Sequence, residues 1–171
     1  MYPLLTITNL TVGYAVNGGW RNAVRDVSLT LASGQRYGIV GESGSGKSTL
    51  ALALLRAPDT GAQIRNGQVL LRGRDMATLS TADLSTAWSD DLRLVPQNPL
   101  TALTPSLRVG DQLIEALEGS LPRAEARQQA LALLRQVRMA DPERVFAAYP
   151  HELSGGMQQR VMIAMALRGD P

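Results

Sequence analysis

Gly41-Glu42-Ser43-Gly44-Ser45-Gly46-Lys47-Ser48 is an uninterrupted run of the spacing G-x-x-x-x-G-K-[ST], followed at once by Thr49 and an apolar helical stretch. This spacing builds a phosphate-binding loop. Its glycines let the backbone turn through positive φ and come close to an anion, so that successive N–H groups converge on it. Lys47 supplies a cation for the β- and γ-phosphates, Ser48 a hydroxyl for Mg²⁺, and the helix beginning near Gly46 directs its positive end at the same point. Gly41, Glu42, Ser43, Gly44, Ser45, Gly46, Lys47, Ser48 and the adjoining Thr49 are therefore the candidate nucleotide-binding set. A triphosphate is the ligand that uses all of it.

Working outward, residues 35–40 read as a short buried strand and residues 48–56 as a helix ended by Pro58, which is the order such a loop needs. Upstream, residues 4–14 alternate apolar and polar types as a half-buried strand, and Asn17-Gly18-Gly19 forms a turn. Residues 23–31 alternate again with the apolar set at odd positions, and Ser33-Gly34 turns the chain toward the loop. Two antiparallel strands thus precede the nucleotide core. Tyr14 stands where the first of them reaches its turn, either as a base-stacking residue or as an ordinary strand-end aromatic.

Downstream, residues 67–73 read as a strand between glycines, Ser80 as the cap of a short helix over 81–88, and residues 92–95 as a brief strand that presents Gln97 just before Pro99. From Leu107 the period becomes helical. Val109, Leu113, Ile114 and Leu117 fall on one face, and a helix from Arg123 to about Val137 buries Ala126, Ala130, Leu131, Leu133 and Leu134. A last helix opens at Ser154, a natural N-cap, with Gly155 and Gly156 crowding a second positive helix end and Val161, Ile163, Ala164 and Leu167 following.

Composition narrows the class without naming a partner. The 171 residues suffice for one domain, or for a core with a small subdomain, and 17 basic against 15 acidic residues are spread along the chain. Nothing in that distribution resembles a nucleic-acid-binding arm. There is no cysteine, hence no disulfide framework or thiolate metal site, and the N-terminus has no secretory pattern, so a cytosolic setting is expected. No apolar run approaches the roughly 20 residues that span a bilayer, so a membrane would be reached through a partner.

Taken together, the loop at 41–48, Gln97 within Leu94-Val95-Pro96-Gln97-Asn98-Pro99, and Leu153-Ser154-Gly155-Gly156-Met157-Gln158-Gln159-Arg160 resemble the ATP-binding cassette family. Pro99-Leu100-Thr101-Ala102-Leu103-Thr104-Pro105 and Tyr149-Pro150-His151-Glu152 are similar to its peptide and nickel importer branch. The resemblance implies an α/β fold: a phosphate-loop core with part of a parallel sheet and an N-terminal antiparallel β subdomain over residues 1–97, then a helical subdomain carrying the signature over residues 98–171. It makes Tyr14 the adenine-stacking aromatic and Gln97 a Mg²⁺ ligand that also senses the γ-phosphate. Ser154, Gly155 and Gly156 would contact ATP bound by an opposing subunit, so that two cassettes pair head-to-tail around two ATP molecules.

The same resemblance implies an ATPase subunit at the cytoplasmic face of the cell membrane, coupled to transmembrane permease subunits that carry the solute. Lys47 and Gln97 would serve the hydrolysis of ATP held with Mg²⁺. In this family a strand ending in Asp-Glu and a later switch His follow the signature, beyond residue 171, so the sequence as given is expected to bind ATP without hydrolysing it. Gln158 stands where this branch commonly carries a basic residue, and His151 precedes the signature and is read as a local structural residue. Two other functions fit the motifs: a soluble cassette ATPase acting on DNA or the ribosome, and a non-catalytic nucleotide-binding module. Coiled coils, zinc modules and basic linkers, which interrupt the former, are absent from the sequence.

Overall fold

The computed structural model describes residues 3–56, 61–97, 102–117 and 121–168. Pro58, residues 98–101 of the segment after Gln97, and the residues past 168 lie outside them. The chain divides into two compact units, Met1–Trp88 and Ser89–Pro171. This division falls nine residues before the boundary at 97 expected from the sequence.

The first unit is built on an antiparallel sheet of four strands in the order β2-β1-β3-β4, with β1 Leu5–Val16, β2 Gly19–Leu31, β3 Ala62–Leu71 and β4 Arg74–Asp75. β1 lies between β2 and β3 and pairs with both. Its apolar residues change phase midway: Leu5 and Ile7 are odd, whereas Leu10, Val12 and Tyr14 are even. The structure accommodates the change with a bulge. Asn9 and Asp26 both take positive φ, 49° and 51°, the Asn9 amide donates to the Asp26 carboxylate at 2.8 Å, and Asn9 N–H donates to Ser28 Oγ at 2.8 Å. The extra residue returns Leu10 and Val12 to the buried face used by Ile7. On β3 the same irregularity needs Gly67, where a Cβ would lie 2.5 Å from the carbonyl oxygens of Thr8 and Asn9.

Helix α1, Lys47–Leu54, packs on this sheet through Leu50 and Ala53, and α2, Thr81–Asp90, buries Leu84 and Ala87. Ser80 caps α2 as expected, its hydroxyl accepting from Asp83 N–H at 3.1 Å. β3 begins five residues before the strand read from Gly67, because residues 62–66 continue the ladder with β1.

Residues 35–40 and 92–95 do not form the strands expected of them. A buried parallel strand exists only with ladder partners on its edges, and neither segment has one among the described residues, whose sheet is wholly antiparallel. Their apolar side chains stay open to solvent, Val40 most of all at 93% exposure.

The second unit is helical: α3 Val109–Leu117, α4 Arg123–Gln136, α5 Pro142–Ala147, a 3₁₀ turn Pro150–Glu152 and α6 Gly155–Ala166. Its core joins Val109, Leu113, Ala130, Leu134, Val145 and Val161. The faces read from helical period on α3 and α4 are the faces buried. α5 is not visible as a periodic pattern; it is a short turn of helix capped by Asp141, whose carboxylate accepts from Arg144 N–H at 3.0 Å.

Candidate functional site

The loop between β2 and α1 is shaped by two glycines. Gly44 has φ 80° and Gly46, the N-cap of α1, has φ 91°. At Gly46 the requirement is also steric, because a Cβ would stand 2.4 Å from the Ala23 carbonyl oxygen on β2. The loop is thereby pressed against that strand. Helix α1 carries no acidic residue in its first turn and no side-chain cap, so the positive end of its dipole is left for a ligand.

Lys47 curls back over its own loop. Its ammonium donates to the carbonyl oxygens of Gly41 at 2.8 Å and Glu42 at 2.7 Å, and to Ser45 Oγ at 3.2 Å. Three oxygens thus hold the cation where the glycine-rich backbone turns. Glu42, Ser43 and Ser48 are exposed.

Beside the loop lies a cavity of about 570 Å³ lined by Tyr14, Val16, Arg21, Asn22, Ala23 and residues 44–49. Tyr14 enters it from β1, directly opposite Arg21 of β2. The Tyr14 hydroxyl is 3.1 Å from Thr49 Oγ1 on the first turn of α1. Tyr14, residues 44–48 of the loop and Thr49 therefore come together in one pocket of the first unit, whereas Gly41, Glu42 and Ser43 do not line it. Arg21 and Asn22 escaped the sequence reading. Their signal is register: hairpin pairing across the Asn17-Gly18-Gly19 turn puts them alongside Tyr14.

The other predicted residues belong to the second unit. Gln97 is exposed in a bend, at the end of a segment in which burial and the neighbouring charge of Arg168 push the Arg93 guanidinium below its usual range. Ser154 is the N-cap of α6, its Oγ accepting from Met157 N–H at 3.4 Å, and Gly155 and Gly156 are exposed beside it. Gln158 instead turns inward. It is 4% exposed, and its amide nitrogen donates to the carbonyls of Pro150 at 2.7 Å and Leu153 at 3.2 Å. Through these two bonds the neutral amide ties α6 to the 3₁₀ turn. His151 is exposed, its ring stacked on Tyr149 at a centroid distance of 5.6 Å.

Whether these residues suit the expected ligands is a matter of donor chemistry. The loop offers a cation, exposed hydroxyls and a helix end, which suits a polyphosphate. Ser48 offers one hard oxygen, and Mg²⁺ at phosphate sites takes one or two protein oxygens with the rest from phosphate and water. Among the described residues there is no cluster of His, Asp or Glu that would hold a metal unaided.

A glycine-shaped loop at the head of a helix, with a lysine and two hydroxyls on its first turn and an aromatic at the rim of the pocket, defines a phosphate-loop protein. The chain matches the ABC transporter family over residues 24–171 and belongs to that family. It is 46% identical over 171 residues to a peptide import ATP-binding protein of Brucella abortus, covering 99% of this chain and 52% of that protein. With the oligopeptide transport ATP-binding protein OppD of Salmonella typhimurium it shares 42% identity over 166 residues, 96% of this chain and 49% of the relative. The chain spans about half the length of the curated relatives it matches.

Among solved structures, a dimeric ATP-binding cassette in a post-hydrolysis state bound to ADP and Pi superposes with TM-score 0.83 at 28% identity, over 98% of this chain and 70% of the other. A bacterial Atm1-family ABC exporter with ATP bound gives TM-score 0.78 at 29% identity, over 99% and 28% respectively. The ATP-binding cassette fold expected from the motifs is thus the fold of the chain's structural neighbours.

Proposed function

We propose that this chain is the ATP-binding part of an ABC importer subunit for peptides or related solutes, which couples ATP binding and hydrolysis to transport through membrane-spanning partners. The observation that carries the reading is the pocket at the head of α1, where Tyr14, the positive-φ loop and Lys47 meet. Its support in sequence is the identity to relatives named for peptide import and oligopeptide transport. Hydrolysis in this class is in-line attack of water on the γ-phosphate, and the protein contributes mainly position and charge.

In this reading Lys47 exchanges its three loop oxygens for phosphate oxygens, Ser48 and Gln97 hold Mg²⁺, and Tyr14 stacks on adenine. Gln97 also senses the γ-phosphate. Ser154, Gly155 and Gly156 serve nucleotide held by a second cassette, consistent with the dimeric state named for one structural neighbour. No helix among the described residues is long and apolar enough to cross a membrane. In the same reading the protein works as a peripheral subunit on the cytoplasmic face, beside transmembrane permeases.

Titration with a fluorescent ATP analogue tests the nucleotide assignment. Lys47→Ala is expected to weaken binding at least tenfold, about 1.4 kcal/mol or more, because a charge-assisted contact is lost without replacement. Unchanged affinity would remove the loop from the binding site.

A further inference from the structure

The contact between Tyr14 and Thr49 joins two parts of the pocket that the nucleotide reading treats separately. Tyr14 sits on β1 and Thr49 on the first turn of α1, 35 residues later, yet their hydroxyls are 3.1 Å apart. Both side chains are half-buried and both line the same cavity. Thr49 is β-branched and helical, so its side chain has few rotamers and makes a stiff anchor. Tyrosine has two side-chain torsions, and a hydrogen bond at the far end of the ring restrains both. Ser48, the neighbour of Thr49, faces the phosphate end of the pocket in the reading above.

We propose that Thr49 is a positioning residue for nucleobase recognition: its hydroxyl fixes the ring of Tyr14 in the plane that stacks on the base, and so ties base recognition to the helix turn that carries the phosphate contacts. The proposal rests on the nucleotide reading of the pocket. Its energetic basis is preorganisation, since a ring already held in place loses less freedom when a ligand stacks on it. Either hydroxyl can donate, so the bond needs both oxygens but no particular proton. The ring itself remains when only its hydroxyl is removed.

The test is calorimetric titration of the purified 171-residue chain with ATP and, separately, with inorganic tripolyphosphate, which has the charge but no base. Thr49→Val and Tyr14→Phe are each expected to weaken ATP about three- to tenfold, the net worth of one hydrogen bond. The double variant should lose no more than either single, and Thr49→Ser, which keeps the hydroxyl, should bind ATP as wild type does. Tripolyphosphate affinity should stay within about twofold throughout. Additive losses, or a parallel loss of tripolyphosphate, would instead place Thr49 on the phosphates or in the packing of α1 and overturn the proposal. So would wild-type ATP affinity in both single variants. Lys47→Ala run alongside separates this failure from that of the underlying reading. If it keeps both ligands, the nucleotide assignment itself falls; if it loses both while the Thr49 set is unchanged, only the positioning role falls.

Discussion

A methyl group at Gly46 would meet the Ala23 carbonyl oxygen at 2.4 Å while holding a backbone φ of 91°, whereas one at Gly44, φ 80°, would meet nothing within 4 Å. The two glycines look alike in the motif and differ in what they do. Gly44→Ala carries only the backbone penalty of a positive φ, about 1–2 kcal/mol. Gly46→Ala adds a collision with β2 that no rotamer relieves, and its cost should reach about 3 kcal/mol or more. Thermal unfolding checks the ranking; equal losses would mean that the loop is not pressed on β2. ATP titration should rank the variants in the same order, because the displaced residue is the cap of the helix that carries Lys47, Ser48 and Thr49.

Among the elements, α6 starts at its N-cap Ser154 and is tied to the preceding turn by a side chain of its first turns, Gln158. Gln158 lies in the signature run, yet it is buried and its amide nitrogen, by the geometry of its contacts, donates to two carbonyls of the preceding turn. Gln158→Glu keeps the shape but turns the donor into a charged acceptor facing acceptors, so it should cost about 3–5 kcal/mol. Gln158→Leu removes the donor and should cost only about 1 kcal/mol. Urea unfolding followed by far-UV dichroism gives both values, and equal costs would place the amide in solvent. No sequence period reveals such a contact, because it depends on carbonyls set by the turn rather than on residue types. The faces of α3 and α4 were legible for the opposite reason: burial there follows the 3.6-residue period directly. The phosphate loop was legible because its spacing is its geometry. In β1 the slip from odd to even apolar positions at Asn9 is written in the sequence but reads as a bulge only once the Asn9–Asp26 bond is seen. Residues 35–40 have a strand's composition, and what they lack, ladder partners among the described residues, is not a property of their own sequence.

For the whole molecule, the division into two units has a thermodynamic consequence. The pocket beside α1 is lined entirely by residues of the first unit, while Leu134, with no exposed surface, sits in the helical core of the second beside Val109, Leu113 and Val161. Truncating it deletes methyl groups from a packed core and leaves a cavity that neighbouring helices only partly fill. Leu134→Ala should therefore destabilise the helical unit by about 2–5 kcal/mol. In the proposed reading Lys47, Thr49 and Tyr14, none of which packs in that core, hold the phosphates and the base, so affinity for ATP without Mg²⁺, measured well below the unfolding midpoint, should remain that of wild type. Differential scanning calorimetry gives the first quantity and isothermal titration the second. A loss of affinity that tracks the loss of stability would show that the two cores fold as one cooperative body, and that the helical unit contributes to nucleotide binding through the stability of the sheet that carries the pocket.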